Sequence, residues 1–299
     1  MVKELFLPEK IQVQEVQFKT EGKQIVKFFV ARLDAVHPIV SGNKLFKLFY
    51  NLQTALAHQK GIITMGGAYS NHLAATAYAC KIAGISSIGI VRGEVSTSLN
   101  HTLQFCKEHG MELIPMERKH FHRSSSLIQN FIHKNPSFLF VPEGGDNQEG
   151  MQGCEEIPKR IPDYSSYTHI ICAAGTGTTI RGITRASAQH QHCIAIPVLK
   201  IKSYEQQLFR VKHLHENTTC LFGYAGKGYA RKDKQLFSFM NNFFKQSAIP
   251  LDFIYTAKLL KAVSELYDSN YFTNSSRLLV IHTGGLQGNE SLTGGTLVY

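Results

Sequence analysis

The stretch GIITMGGAYSNHLAATAYACKIAG, residues 61–84, contains the pattern that decides the fold. Its first five residues form a short apolar run typical of a buried strand, and Asn71 to Ala83 follows a helical pattern. Gly84 stands just after this predicted helix, where a residue with positive φ is favoured. The stretch therefore predicts a strand, a turn and a helix, which is the repeating unit of parallel sheets.

The same alternation of apolar runs and helical patterns continues toward the carboxyl terminus. A second strand is predicted at 87–91, followed by a helix over 98–109 that ends before Gly110. Further apolar runs lie at 111–115, 138–142, 169–174, 194–199 and 278–282. Because continuous apolar strands are buried on both faces, they indicate parallel sheets covered by helices and hence an α/β fold.

The number of predicted strands indicates two domains. About four strands precede residue 142 and a second group begins at 169, which exceeds the roughly four to six strands of one ordinary sheet. We expect the chain to cross between the domains near Lys47 and near residues 145–148. This division gives a large domain of residues 1–47 and 147–299 and a small α/β domain of residues 48–146.

Composition restricts the class of protein. The chain of 299 residues is 43% hydrophobic, which is enough for real cores, and it has no run of the roughly 20 apolar residues that a membrane span needs. Its start has no secretory pattern. The six cysteines are scattered without C-x-x-C pairs, which favours reduced thiols in a cytoplasmic protein.

The net charge and the histidine pairs could indicate a nucleic-acid partner or a metal ion, but we predict neither. The net charge of +10, from 32 basic and 22 acidic residues, is spread along the chain without a nucleic-acid motif, so we expect no nucleic-acid partner. Histidine pairs at 120/122, 190/192 and 213/215 have metal-ligand spacing but no third ligand in the pattern, so we expect no metal. A basic surface that attracts an anionic substrate or cofactor is the simpler interpretation.

Two segments in the first half of the chain have residues suited to chemistry. In SGNKLFKL, residues 41–48, Lys44 follows a Gly-Asn turn at the start of an apolar-periodic segment. Such a lysine is usually solvated, but a desolvated one forms an imine with an aldehyde cofactor. In MGGAYSNH, residues 65–72, Ser70 and Asn71 either cap a helix or bind an anion there, and the two roles are compatible.

The second half of the chain contains a candidate phosphate loop and a group of tyrosines. AAGTGTTIRG, residues 173–182, follows a strand and lacks both the P-loop lysine and the third glycine of G-x-G-x-x-G, so a compact phosphate monoester is the better ligand. Residues 281–285, 227–229 and 252–258 lead to the same sheet edge, where α/β proteins bind ligands. Ordinary turns and half-buried tyrosines are the alternative interpretation.

In this order, the segments resemble the 1-aminocyclopropane-1-carboxylate (ACC) deaminase and D-cysteine desulfhydrase family of fold-type II pyridoxal-phosphate (PLP) enzymes. The family segment G-N-K-x-R-K-L matches residues 42–48, which implies that Lys44 forms the imine with the cofactor, with Phe46 in place of arginine. The family segment Q-S-N-[HQ] matches residues 69–72, with Tyr69 in place of glutamine. The match implies that Asn71 contacts the cofactor 3′-oxygen, that Ser70 meets the substrate carboxylate or assists proton transfer, and that Asn71 and His72 also contact the substrate.

The resemblance extends to the cofactor phosphate, the active-site tyrosines and the architecture. It assigns the phosphate to Gly175, Thr176, Gly177, Thr178 and Thr179. The segments G-Y-G and D-P-V-Y place two catalytic tyrosines at Tyr229 and Tyr255, although Ala230 and Phe253 depart from the pattern. It also implies a two-domain, tryptophan synthase β-like α/β fold with the active site in the interdomain cleft, a large PLP-binding domain and a homodimer.

Two threonines favour one activity within that family. ACC deaminases resemble one another in having glutamate after the second tyrosine and leucine in H-L-G-G, whereas this chain has Thr256 at the substrate and Thr283 at the cofactor. A hydroxyl facing the pyridine nitrogen leaves it largely unprotonated, which suits the α,β-elimination of D-cysteine to pyruvate, sulfide and ammonia. The alternatives are ACC deamination, another D-amino-acid eliminase or racemase, a PLP-binding protein without catalysis, and a basic nucleic-acid binder.

Overall fold

A computed structural model describes residues 5–94, 99–200, 216–228 and 230–299. The chain divides into two compact units, which we call the first unit (residues 1–7 and 37–153) and the second unit (residues 8–36 and 154–299). The predicted domain boundaries were 47/48 and 146/147, so the segment with Lys44 falls in the first unit instead of with residues 154–299. The assignment of cofactor binding to a large domain stays a prediction.

The secondary structure alternates helices and strands from residue 43 to residue 197. The strands are β1 (Val13–Lys19), β2 (Ile25–Arg32), β3 (Gly61–Gly67), β4 (Ser87–Arg92), β5 (Met111–Met116), β6 (Phe138–Val141), β7 (His169–Ala174), β8 (His192–Pro197), β9 (Thr218–Cys220) and β10 (Leu278–His282). The helices are α1 (Asn43–Ala57), α2 (Asn71–Ala83), α3 (His101–Glu108), α4 (Ser126–Lys134), α5 (Gln148–Lys159), α6 (Thr178–Arg185), α7 (Lys234–Ser247) and α8 (Thr256–Asp268). This alternation confirms the predicted α/β class.

The first unit is built on a parallel sheet with the order β5-β4-β3-β6. The central strand β3 buries Ile63 and Met65 in a cluster with Ile90 and Ile128, while Leu73 of α2 lies in a second buried cluster. Both faces of the sheet are therefore covered, which explains why its strands appear in the sequence as continuous apolar runs. The predicted strands 61–65, 87–91 and 111–115 are confirmed, each with one or two further residues.

The second unit is built on a six-stranded sheet with the order β1-β2-β10-β7-β8-β9. Strand β1 pairs with β2 in antiparallel orientation, and the other pairs are parallel. The parallel pairing of β10 with β7 sets Ile281 opposite Cys172, so the carboxyl ends of these two strands lie side by side. The sequence analysis gave no prediction for β1 and β2. Their residues alternate between buried and exposed positions instead of forming an apolar run.

Two helix ends confirm the predicted turn chemistry. Helix α2 spans the predicted residues and ends at Gly84, whose φ is 68°, and Gly110 after α3 has a φ of 78°. Helix α3 was predicted over 98–109 and begins at His101, because Asn100 caps its first turn by accepting a hydrogen bond from the Leu103 amide.

The described residues were also compared with the requirements of a membrane-spanning helix and of a metal site. Within residues 5–94, 99–200, 216–228 and 230–299, no helix is long and apolar enough to cross a bilayer. The same residues contain no cluster of three histidine, cysteine or acidic side chains that could hold a metal ion, and His213 and His215 lie outside them. All six cysteines are buried as free thiols, as predicted.

The close packing of α5 on the backbone of α1 gives a first prediction. A Cβ on Gly153 would clash with the carbonyl group of Phe46, which belongs to the helix that carries Lys44. Overpacking against a backbone atom costs up to about 3 kcal/mol, whereas alanine gains about 1 kcal/mol over glycine inside a helix. We therefore expect Gly153→Ala to lower the free energy of unfolding by about 2 kcal/mol in urea denaturation.

Gly294→Ala is the matched control for this prediction. Gly294 is exposed, and a Cβ there would meet no heavy atom within 4 Å. Its substitution should change the free energy of unfolding by less than about 0.5 kcal/mol. If Gly153→Ala and Gly294→Ala were equally stable, the prediction would be wrong, because α5 and α1 could then move apart without an energetic cost.

Candidate active site

Lys44 lies in the first turn of α1, after a glycine that turns the chain. Gly42 has a φ of 67°, a conformation that side chains disfavour, and this turn starts the helix at Asn43. Lys44 is half-buried, and its Nζ donates a hydrogen bond of 2.7 Å to Oδ1 of Asn43. The amine is thus held at the start of the helix by a neutral neighbour.

His72 lies in the first turn of α2 and forms a buried hydrogen-bonded chain with Thr64 of β3. The Thr64 hydroxyl donates to the Val141 carbonyl at 2.7 Å, and its oxygen lies 3.0 Å from Nε2 of His72. A hydroxyl has one proton, which here goes to the carbonyl, so Nε2 of His72 must carry a proton and donate it to Thr64. The geometry therefore assigns the Nε2–H tautomer and leaves the Nδ1 lone pair of the neutral ring as an acceptor.

The charges around His72 come from two lysines of α1. Burial, followed by the positive charges of Lys44 and Lys47, holds the pKa of His72 well below its usual range. The first unit therefore brings the predicted residues Lys44 and His72 into electrostatic contact. Lys47, which the sequence analysis did not single out, is 4% exposed, and its Nζ donates to the Gly144 carbonyl at 2.8 Å.

Ser70 and Asn71 lie at the junction of β3 and α2. Ser70 is the N-cap of α2, and its hydroxyl accepts a hydrogen bond of 3.3 Å from the Leu73 amide. Asn71, the first residue of the helix, is half-buried and immediately precedes His72. The capping role of Ser70 is confirmed, and it leaves the hydroxyl proton available for a ligand.

The predicted phosphate loop follows β7 in the second unit. Gly177 has a φ of 85°, and α6 begins directly after it at Thr178. The hydroxyl oxygens of Thr176 and Thr178 lie 2.9 Å apart, which places both at the amino end of the helix, and Thr179 is 4% exposed. Amide groups and hydroxyls at a helix amino end favour an anion, so this arrangement suits a phosphate.

Tyr255 and Thr283 belong to segments close to this loop. A Cβ on Gly175 would lie 3.3 Å from Cε1 and 3.8 Å from the hydroxyl oxygen of Tyr255, so the tyrosine ring stands directly against the loop. Thr283 follows β10, whose carboxyl end neighbours that of β7, and it is 7% exposed. The second unit therefore brings Gly175 and Tyr255 together and sets Thr283 at the same sheet edge.

Thr256 belongs to a buried hydrogen-bonded network with Asp252. It is fully buried, its hydroxyl donates to Oδ1 of Asp252 at 2.7 Å, and it accepts the Asp252 amide at 2.8 Å. The single hydroxyl proton of Thr256 is thus donated to another group of the protein. The Asp252 carboxylate also accepts the amides of Ile254 and Tyr255, so these side chains close the start of α8. A contact between Thr256 and a ligand stays a prediction.

Tyr229 lies outside the described residues, but the residue before it makes an unforeseen contact. Lys258 of α8 is 5% exposed, and its Nζ donates to the Gly228 carbonyl at 2.7 Å and the Val198 carbonyl at 3.2 Å. Burial lowers the pKa of Lys258 to about 8, and the nearby Asp252 carboxylate partly opposes this shift. Its sequence position gave no sign of this burial, because lysines on helices are usually exposed.

His282 is a second buried residue that the sequence analysis did not assign. It is fully buried just before Thr283, and its Nε2 donates to the Pro250 carbonyl at 2.8 Å. Its Nδ1 lies 3.1 Å from Oδ1 of Asp34, which is bound in turn by the Arg32 guanidinium. This network fixes the end of β10. The only sequence signal for it is a histidine at the end of an apolar run.

Comparison with known proteins shows what this chain is similar to. It matches the family described as "Pyridoxal-phosphate dependent enzyme" over residues 16–284. The chain belongs to this family. A "Putative 1-aminocyclopropane-1-carboxylate deaminase" of Thermotoga maritima is 28% identical, over 91% of this chain and 94% of that protein. A mitochondrial bifunctional D-cysteine desulfhydrase/1-aminocyclopropane-1-carboxylate deaminase of Arabidopsis thaliana is 27% identical, over 88% of this chain and 73% of that protein.

A solved structure supports the fold of this pyridoxal-phosphate dependent enzyme. The crystal structure of an ACC deaminase homologue has a TM-score of 0.78 and 20% sequence identity, with 97% of each chain covered. At this identity the likeness concerns the fold. The family match confirms the predicted family and cofactor, and the family acts on small amino acids. The solved structure confirms the predicted fold class.

The residues of each unit fit pyridoxal phosphate. The first unit offers the Lys44 amine for the cofactor aldehyde, and Nδ1 of His72 is a buried acceptor that has no partner among the described residues. Such an atom is expected where a bound group completes the hydrogen bonding. In the second unit, the absence of a side chain at Gly175 leaves space beside Tyr255 at the amino end of α6, where a phosphate binds.

The lowered pKa of His72 predicts a pH dependence of stability. The unfolded chain binds a proton at this side chain below about pH 6.5, whereas the folded chain does not until the pH is well below that value. Stability is therefore present above pH 6.5 and falls as the pH decreases. Compared with His72→Gln, the unmodified chain should lose up to about 1.4 kcal/mol more free energy of unfolding for each pH unit below 6.5.

Urea denaturation between pH 7 and pH 5 measures this difference. His169 and His192, whose pKa values burial also lowers, remain in both proteins, so subtraction isolates His72. Glutamine keeps an N–H donor for Thr64. Parallel stability curves for the two proteins would show that His72 is not buried as a neutral ring.

Proposed function

We propose that the enzyme eliminates sulfide from D-cysteine and releases pyruvate and ammonia, with Lys44 as the cofactor lysine. The observation that carries the proposal is the half-buried Lys44 amine at the start of α1, held by Asn43 and close to the neutral His72. An imine forms only from an unprotonated amine, so a partly desolvated lysine suits this role better than a fully solvated one.

The residues of the first unit would bind the amino acid and move its proton. Ser70 keeps its hydroxyl proton after capping α2, so it can donate to the substrate carboxylate. The Lys44 amine is the proposed acceptor of the Cα proton, because an amine released from its link with the cofactor is a competent base. Asn71 is proposed at the cofactor 3′-oxygen, and His72, an acceptor at Nδ1, at a donor group of the bound ligand.

The residues of the second unit would hold the cofactor. The proposed phosphate ligands are the amides and hydroxyls of Gly175, Thr176, Gly177, Thr178 and Thr179. Tyr255, which stands against Gly175, and Tyr229 are the proposed catalytic tyrosines. Thr283 is proposed near the pyridine nitrogen. When bound, pyridoxal phosphate withdraws electrons from the substrate Cα, which allows that carbon to lose its proton.

Position 256 supports elimination over ring opening. A glutamate at position 256, as in ACC deaminases, would place a second carboxylate beside the buried Asp252, and two buried carboxylates at this distance disfavour each other's charge. Threonine instead joins the hydrogen bonds of Asp252. The chain is therefore built for a neutral residue here, and Thr256 itself is proposed at the edge of the substrate site.

ACC deamination to 2-oxobutyrate and ammonia is the second candidate function. The names of the Thermotoga maritima and Arabidopsis thaliana relatives favour it, since both include this activity. A PLP-binding protein without catalysis is the remaining proposal, and turnover of any amino acid would exclude it. We also propose that the protein acts as a cytoplasmic homodimer, as the family resemblance implies.

Substitution of Lys44 tests the cofactor assignment. Lys44→Ala removes the amine, so we expect the PLP-loaded variant to lose both the visible absorbance of the lysine-linked cofactor and all detectable elimination. Lys81→Ala is the control, because Lys81 is an exposed lysine on α2 of the same unit. An unchanged visible spectrum in Lys44→Ala would remove Lys44 from the mechanism.

The 2-oxo acid released from a mixture of D-cysteine and ACC tests the choice of reaction. We expect pyruvate to exceed 2-oxobutyrate by at least about 100-fold, because a thiolate leaves readily whereas the cyclopropane ring needs a stronger electron sink. The products are separated by chromatography after derivatisation. Predominant 2-oxobutyrate would establish ACC deamination and show that the two threonines do not decide the chemistry.

A further inference from the structure

A short loop connects β3 to α2 and leads directly into the proposed ligand residues. It consists of Ala68, Tyr69 and Ser70, and we call it the 68–70 loop. Its carboxyl end is fixed, because the Ser70 amide donates to the Gly67 carbonyl at 2.9 Å and the Ser70 hydroxyl caps α2. The backbone at Ala68 needs a different anchor.

That anchor comes from Asn100, at the start of α3. The Asn100 Oδ1 accepts a hydrogen bond of 3.0 Å from the Leu103 amide, and its Nδ2 donates one of 3.0 Å to the Ala68 carbonyl. A reversed amide group would lose both bonds, so the two contacts together determine its orientation. One side chain thus caps a helix and holds the loop.

We propose that Asn100 is a positioning residue for substrate binding: its amide holds the Ala68 carbonyl and thereby sets the place of the Ser70 hydroxyl. The inference rests on the proposed role of Ser70 at the substrate carboxylate. Both polar groups of Asn100 are used within the protein, so its effect passes through the loop. Ser70 is two residues from the anchored carbonyl, and a displacement of about 1 Å at such a group is enough to weaken binding.

Two further side chains, those of His101 and Arg92, lie against the same stretch of chain. The ring centroids of Tyr69 and His101, the first residue of α3, lie 5.7 Å apart. A Cβ on Gly67 would lie 3.3 Å from a guanidinium nitrogen of Arg92, so that side chain covers the end of β3. These contacts limit where the loop can move, while the directional bond from Asn100 selects one position within those limits.

Helix capping and loop anchoring can be separated by the choice of substitution. Serine and aspartate are both good N-caps, so Asn100→Ser and Asn100→Asp keep the acceptor for the Leu103 amide. Neither provides an amide donor for the Ala68 carbonyl. Asn100→Ala removes both functions, so its difference in stability from Asn100→Ser reports the cost of the lost cap.

The test is a titration of the PLP-loaded protein with D-alanine and L-alanine, followed through the visible spectrum of the cofactor. Alanine has no leaving group on its β-carbon, so the readout needs no elimination. We expect the serine and aspartate variants to bind the preferred alanine about 10-fold more weakly, with the midpoint of urea unfolding lowered less than in Asn100→Ala, because the helix cap is kept. Binding as tight as in the unmodified chain, or weakening only in step with stability, would overturn the proposal.

Hydrogen exchange gives a second measurement that does not depend on the proposed function. In the PLP-loaded protein without amino acid, the amides of residues 66–73 should exchange faster in both variants than in the unmodified chain, since the loop has lost its anchor. Unchanged exchange would also overturn the proposal. Faster exchange together with unchanged elimination of D-cysteine would refute the link between the loop and substrate binding. If instead the Lys44→Ala experiment refutes the proposed function, the exchange result still tests whether Asn100 anchors the loop.

Discussion

The buried hydroxyl of Thr64 joins three elements of the first unit, and the placement of His72 depends on it. The hydroxyl lies on β3, donates to the carbonyl at the end of β6 and accepts the proton of His72 on α2. A buried polar group with both kinds of bond satisfied is stable, and removal of one partner leaves the other unsatisfied at a cost of about 1–3 kcal/mol. Thr64 therefore fixes both the orientation and the tautomer of His72, next to the two lysines of α1.

In the second unit, a buried carboxylate fixes the position of neighbouring residues. Asp252 is fully buried and accepts the amides of Ile254, Tyr255 and Thr256 as well as the Thr256 hydroxyl. These bonds satisfy the free amides at the start of α8 and orient Tyr255 toward Gly175. In both units a buried polar side chain that makes no direct contribution to the proposed chemistry orients a candidate site residue: Thr64 orients His72, and Asp252 orients Tyr255.

The sequence predicted the parts of the fold with strong periodicity. Strand β3 and helix α2 were predicted because an apolar run, a glycine turn and a terminal glycine all agree there. Strands β1 and β2 gave no such signal, since an edge pair alternates buried and exposed residues and resembles many surface segments. The candidate residues came from motifs. Their surroundings did not, because the burial of Lys258 and the use of the Thr256 hydroxyl by Asp252 depend on tertiary packing.

Two buried lysines show that packing overrides the usual exposure of charged side chains. Lys47 and Lys258 are each at most 5% exposed, and each donates to backbone carbonyl groups. Carbonyl groups compensate only part of the cost of taking an ammonium group out of water. Each buried lysine therefore carries an electrostatic cost that packing elsewhere in its unit must offset. For Lys258 this cost lowers the pKa to about 8, because burial disfavours the charged form.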